Sequence, residues 1–286
     1  MGGRPVRFGG RRRHALALEV PEGASRDEVV RYVVESSERA EREGAALGYA
    51  FVEAEAEAAL DTLGWVPLGP VPTLERSLRL SPVLERWSLP GAVRSAIGGL
   101  PLVAPFGRDR RAGVREITGD EPRVTRLWDR FSIDVGVAIE RNASYLERRV
   151  LHRHDAGQRV LIFEDGDRYA IRAMCAFAVG DDARGRHGRV TELLHDRSVT
   201  GMRAASHLLG LALREMLDAG AETARAWSLA HSGSYPIYAR HAFLAPPRRR
   251  RSPDLRFRVR VFDPDLAAVV TQRDRWYLSL LDLEPG

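Results

Sequence analysis

The chain has no lysine, so every one of its 44 basic residues is arginine. Total exclusion of one basic residue type reads as coding bias rather than selection at one surface. It also rules out a Walker-type phosphate loop, which needs Gly-Lys-Ser/Thr. Cysteine is reduced to Cys175, which excludes an internal disulfide framework and makes a reduced cytoplasm the expected compartment. No run of about 18 apolar residues occurs, so no membrane span is expected. The opening Met1-Gly2-Gly3-Arg4-Pro5 has a basic residue but no apolar segment behind it, unlike a secretory signal. RNA-binding aromatic motifs are absent. There is no Gly-x-Ser-x-Gly elbow, and Cys175 sits mid-strand without an adjacent His, so nucleophilic catalysis has no support.

What remains is an ordinary globular composition over 286 residues, enough for about two domains. The net charge of +5 invites a nucleic-acid reading, but the arginines are interleaved with 39 acids, as on solvated faces. Nucleic acid is therefore not an expected partner. The run over residues 248–251 lies between Pro246-Pro247 and Ser252-Pro253 and reads as an exposed loop, with an anion-binding role as the other reading. His152, His154 and Asp155, with His195 and Asp196 further on, match no zinc spacing, so no metal is expected.

One local pattern occurs twice. An amphipathic helix over residues 28–43 ends at Gly44 and is followed by an apolar segment, a short helix and Leu63-Gly64-Trp65. A second helix over 204–219 ends at Gly220 and is followed by Ala224-Arg225-Ala226-Trp227, a short helix and His241-Ala242-Phe243. Such repeats build one supersecondary unit each. Residues 1–80 carry the first copy. Residues 81–112 are dense in Pro and Gly and read as a linker with a short helix near 92–97. Residues 113–286 read as a complete domain. It holds a strand at 113–117, helices at 122–131 and 139–150, and β-type runs at 159–164 and 168–179 around the hairpin signal Asp165-Gly166. Strands at 189–195, 223–228 and 255–262 and a closing strand at 275–283 complete it. The fold class is α/β: a mixed, largely antiparallel twisted sheet with helices on both faces.

Hairpin strands followed by strand, loop, long helix, strand, short helix and strand resemble the GNAT acyltransferase superfamily. Tyr238-Ala239-Arg240-His241-Ala242-Phe243 is similar to that family's Tyr-x-x-x-Gly-Phe, with Ala242 in place of Gly. The first copy resembles the back half of the same fold, entering at its fourth strand (16–20) without the three opening strands and two helices. The resemblance thus implies one partial and one complete GNAT-like copy.

A CoA pyrophosphate needs small residues opening onto a helix N-terminus, where free amides and the helix dipole attract anions. The family's loop reads Arg/Gln-x-x-Gly-x-Gly/Ala, and counting back from Leu208-Leu209 places Thr200, Gly201, Met202, Arg203, Ala204 and Ala205 there. Gly201 and Ala205 fit; Thr200 and Arg203 depart from the pattern. The implied cofactor site is Leu194, on the strand leading in, with Gly201, Met202, Arg203, Ala204 and Ala205. In the first copy Asp27 and Glu28 fall at this place and would repel phosphate. The family position of the acid that protonates the leaving thiolate is Tyr238, whose counterpart in the first copy is Leu60; a core tyrosine is the other reading of this residue. Glu192 is the candidate base, or else a sheet residue facing solvent.

The resemblance implies an acyl-CoA-dependent N-acyltransferase, passing acetyl from the co-substrate acetyl-CoA to the amine of a small molecule or peptide by direct attack. The alternative is a non-catalytic GNAT-fold module that binds a ligand or partner, which the departures at Thr200 and Arg203 favour.

Overall fold

The computed structural model describes residues 4–8, 11–18, 25–84, 91–102, 113–151, 157–166, 170–182, 185–246 and 255–283. The arginine run at 248–251 and His152, His154 and Asp155 lie outside them. Among the described residues no helix is long and apolar enough to cross a membrane, and no group of three or more His, Cys, Asp or Glu is placed to hold a metal.

The strands are β1 (Arg4–Phe8), β2 (Arg11–Leu18), β3 (Leu47–Val52), β4 (Val66–Pro70), β5 (Thr73–Ser77), β6 (Val114–Ile117), β7 (Val137–Ile139), β8 (Arg159–Glu164), β9 (Ile171–Asp182), β10 (Gly185–His195), β11 (Thr223–Trp227) and β12 (Arg256–Val261). The helices are α1 (Arg26–Arg42), α2 (Ala54–Thr62), α3 (Ser81–Leu84), α4 (Gly91–Gly98), α5 (Arg123–Phe131), α6 (Ala143–Leu146), α7 (Val199–Asp218), α8 (Tyr235–Arg240) and α9 (Ala267–Val270). They build two six-stranded mixed sheets, in the orders β4-β12-β3-β2-β1-β7 and β5-β11-β10-β9-β8-β6.

Each sheet has one parallel pair, β2 with β3 and β10 with β11, joined by the long helices α1 and α7. Both helices end as expected: Gly44 (φ 75°) and Gly220 (φ 90°) hold the left-handed conformation that closes a helix. Val29, Val33, Ser37 and Ala40 form the buried stripe of α1 against the first sheet, where α2 also packs. On the second sheet, Ala205, Leu208, Leu209, Ala212 and Met216 do the same for α7. A third core lies between the sheets and takes in α5, α6 and the C-terminal segment through Trp276, Tyr277, Leu278 and Leu281.

The linker at 81–112 does not divide the sheets. β5 leaves the first half to pair with β11, and β12 leaves the second half to lie between β3 and β4. The two exchanged strands occupy the same place in the order: β12 separates β3 from β4, and β5 separates β11 from the bridge at Leu244.

Three expectations change. The first half does not open at its fourth strand, because β1 precedes β2 as its antiparallel neighbour and β7 fills the next place. Residues 139–150 are not one helix: Val137, Ala138 and Ile139 are all buried in β7, and the chain turns only afterwards into α6 and a π-helical turn at Glu147–Leu151. The tail at 275–283 is not a strand. Trp276, Tyr277 and Leu278 are buried in the central core, but the segment forms 3-10 turns at Arg273–Arg275 and Leu280–Asp282 and meets the first sheet only through a bridge from Trp276 to Val137.

Candidate functional site

The sequence places the anion-holding loop at Thr200–Ala205, but α7 begins earlier, at Val199, with Ser198 as its N-cap. Thr200–Ala205 therefore lie within the first two turns, where the amides of Arg203, Ala204 and Ala205 serve the helix itself. Ser198 Oγ accepts from the Gly201 amide at 2.9 Å, and the Ser198 carbonyl accepts from Met202 at 3.0 Å. Asp196 closes the site further. It accepts from the Ser198 amide at 3.1 Å and from the Ser198 hydroxyl, and Arg172 Nη1 donates to it at 2.9 Å. A Cβ added at Gly201 would stand 2.1 Å from Asp196 Oδ1, so glycine is what admits the carboxylate to the helix end. Burial raises the Asp196 pKa, but the Ser198 hydroxyl and Arg172 outweigh it, and the carboxyl stays below its ordinary value. An oxyanion thus already occupies this helix N-terminus, and it belongs to the chain. Arg203 is exposed on the second turn.

In the first half, Ser25 and Glu28 form a capping box at the start of α1, with Glu28 Oε2 accepting from the Ser25 amide at 2.9 Å. The Ser25 hydroxyl and amide hold the Glu28 carboxyl below its ordinary pKa. Asp27 is also in this turn.

The parallel ladder between β10 and β11 stops at Val190↔Ala226, although β10 runs on to His195. The antiparallel side of β10 is bulged between Val190 and Glu192. The extra residue turns Val190 and Leu193 toward α7 and brings Glu192 and Leu194 to the central core. Beyond the ladder, Ser234 Oγ donates to the Leu193 carbonyl at 2.7 Å, and His195 Nε2 lies 3.1 Å from the Gly233 carbonyl. These contacts bridge the gap between the parted strands.

Glu192 faces neither solvent nor an acceptor. Its side chain is fully buried, paired with Arg141 Nε at 2.9 Å, and accepts from Ser279 Oγ at 2.9 Å, from the Leu193 amide at 3.0 Å and from the Tyr277 hydroxyl. Arg141 Nη2 in turn donates to both oxygens of Asp282 at 2.7 Å. With its oxygens committed to four donors, Glu192 anchors the C-terminal segment and is not placed to take a proton. Tyr238 is buried on α8, with its ring edge-on to Phe243 at 5.2 Å. Burial first, and then the nearby Cys175 and Glu192, push the phenol well above its ordinary pKa, so it stays protonated. Its first-half counterpart, Leu60, is equally buried. Leu194 is buried opposite Met174.

A cleft of about 520 Å³ opens past the end of β11, lined among others by Thr73, Ser228, His231, Tyr235 and Asp274. His231 Nε2 lies 2.9 Å from the Trp276 carbonyl. Sequence reasoning weighed Asp196 only as a metal ligand, and missed its place at the helix end, together with Ser198 and His231. Only the first two carried a signal, since Asp-x-Ser ahead of an apolar helix is a capping pattern.

Among solved structures the chain is similar to Saccharomyces cerevisiae N-myristoyltransferase with bound myristoyl-CoA, at 13% identity and a TM-score of 0.59, over 91% of this chain and 65% of that one. A GCN5-related N-acetyltransferase from Anabaena variabilis matches at 11% identity and a TM-score of 0.56, over 95% and 61%. One from Kribbella flavida matches at 15% and 0.53, over 94% and 57%. The chain spans less than two thirds of the length of each. No protein-family model and no curated protein matches it. Two mixed sheets, each with a parallel pair crossed by a long helix, together with these likenesses at 11–15% identity, give this chain the fold of the GNAT acyltransferase superfamily.

Proposed function

We propose that the chain is an acyl-CoA-dependent N-acyltransferase whose second half holds the acyl-CoA, with acetyl-CoA as donor and a small-molecule or peptide amine as acceptor. The observation that carries this reading is the parting of β10 from β11 beyond Val190 and Ala226, beside the N-terminus of α7. Parted parallel strands next to a helix N-terminus offer an edge for an extended thioester arm and a positive pole for its phosphates. The capped helix end fits an oxyanion, and Asp196 stands where the phosphates would bind. In this reading Asp196 swings out and leaves Arg172 behind as charge for the incoming group.

The chemistry falls to two side chains. Tyr238, kept protonated by burial, supplies the proton for the departing sulfur. His231 replaces Glu192 as the group that takes the proton from the acceptor amine. A carbonyl can only accept, so its contact with Trp276 puts the proton on Nε2 and leaves the Nδ1 lone pair available.

A second reading, a ligand-binding module without catalysis, is favoured by the self-capped helix and by Ser234 bridging to Leu193. Calorimetric titration of the purified chain with acetyl-CoA separates the two. Saturable binding, followed by thiol release in the presence of an amine panel, supports the transferase; no binding leaves the module.

A further inference from the structure

Two arginines enclose Tyr145, four residues to either side of it. The guanidinium carbons of Arg141 and Arg149 stand 5.7 Å and 5.8 Å from the centre of its ring. Arg141 is neutralised by Glu192 and Asp282. Arg149 is only 5% exposed, and neither its Nη1 nor its Nη2 has a hydrogen-bond partner among the described residues. A guanidinium does not shed its proton, and a buried charge whose two terminal nitrogens go unbonded is poorly compensated. The residue also sits on the π-helical turn at Glu147–Leu151, and such widened turns recur at functional sites. Tyr145, Leu146 and Val150 around it belong to the central core, on the opposite face of the second sheet from α7.

We propose that Arg149 anchors a binding site for a carboxylate-bearing small molecule. Nη1 and Nη2 form a planar two-donor fork that matches the two oxygens of a carboxylate. One guanidinium among apolar neighbours balances one negative charge, which suits a monoanion better than phosphate. The site lies across the sheet from the proposed acyl-CoA site, so it stands whether or not acetyl-CoA binds.

Thermal unfolding of the full chain tests this, with sodium acetate, sodium glutamate, sodium phosphate and sodium chloride compared at equal ionic strength. Acetate and glutamate should raise the Tm of the wild type above its value in chloride. Arg149→Met keeps the length of the side chain and removes the charge, so without carboxylate it should melt no lower than the wild type and should not respond to acetate. Arg149→Lys keeps the charge without the fork and should lose most of the response. The proposal is overturned if Arg149→Met fails to fold or melts several degrees lower without ligand, since the arginine is then structural. It is equally overturned if wild type responds to phosphate alone, or to acetate no more than to chloride.

Discussion

The two long helices begin in nearly the same way and differ in one respect. At α1 the carboxylate that covers the free amides is Glu28, inside the first turn and fixed there by the capping box. At α7 it is Asp196, outside the helix at the end of β10, tied to Ser198 and Arg172. Glu28 is part of the helix it caps, whereas Asp196 lies outside α7 and reaches it through Ser198. Arg203 is exposed, and both helix ends carry an acid. Under the proposed function, what separates the halves is whether the anion at the helix end can be exchanged. The same asymmetry runs through the short helices, where apolar Leu60 faces its core and Tyr238 brings a buried phenol to the other.

Tyr238→Phe probes that asymmetry with the largest expected effect. If the phenol protonates the thiolate, turnover measured by thiol release should fall roughly 10²–10⁴-fold, while acetyl-CoA affinity changes little. Unchanged turnover would make Tyr238 the equivalent of Leu60, a core side chain. Next comes Arg141→Met, which leaves Glu192 and Asp282 buried without their cation. A loss of about 3–5 kcal/mol in urea unfolding is expected.

His241 matches Leu63 of the first half and should add a pH dependence that the first half lacks. Burial, then repulsion from Arg76, lowers its pKa from 6.5 to about 4. The unfolded chain therefore binds the proton first, so the stability from neutral His241 is complete above 6.5 and falls as pH drops toward 4. The slope should reach up to about 1.4 kcal/mol per pH unit, and His241→Gln should flatten it in denaturant titrations. The smallest effect is a reciprocal pair. Gly64 and Ala242 precede Trp65 and Phe243 with φ of 74° and 56°, and Ala242 is the one non-glycine with positive φ among the described residues. Ala242→Gly should stabilise by about 1 kcal/mol and Gly64→Ala should destabilise by a similar amount, read as opposite shifts in Tm.

Much of the fold was legible because periodicity and punctuation are local. The stripe of α7, the glycines at 44 and 220 and the hairpin at Asp165-Gly166 needed no tertiary knowledge. The exchange of β5 and β12 was not legible, since alternation shows that a strand forms and not which sheet receives it. The fate of Glu192 turned on a single bulge, which flips side chains between faces without leaving a composition signal. Its distant partners, Arg141, Tyr277 and Ser279, lie 51 to 87 residues away in the chain. The cap at Ser198 is legible in Asp196-x-Ser198, whereas the loop pattern counted back from Leu208-Leu209 falls inside the helix.

The proposed acyl-CoA site requires the N-terminus of α7 to exchange its own carboxylate for the phosphates of the ligand. Calorimetric titration of wild type and Asp196→Asn with acetyl-CoA tests this directly. Removing the competing charge should tighten one-site binding by about tenfold or more, of the order of 1.4 kcal/mol, despite the weakened cap. Equal or weaker binding by Asp196→Asn, or no binding by either protein, would contradict it.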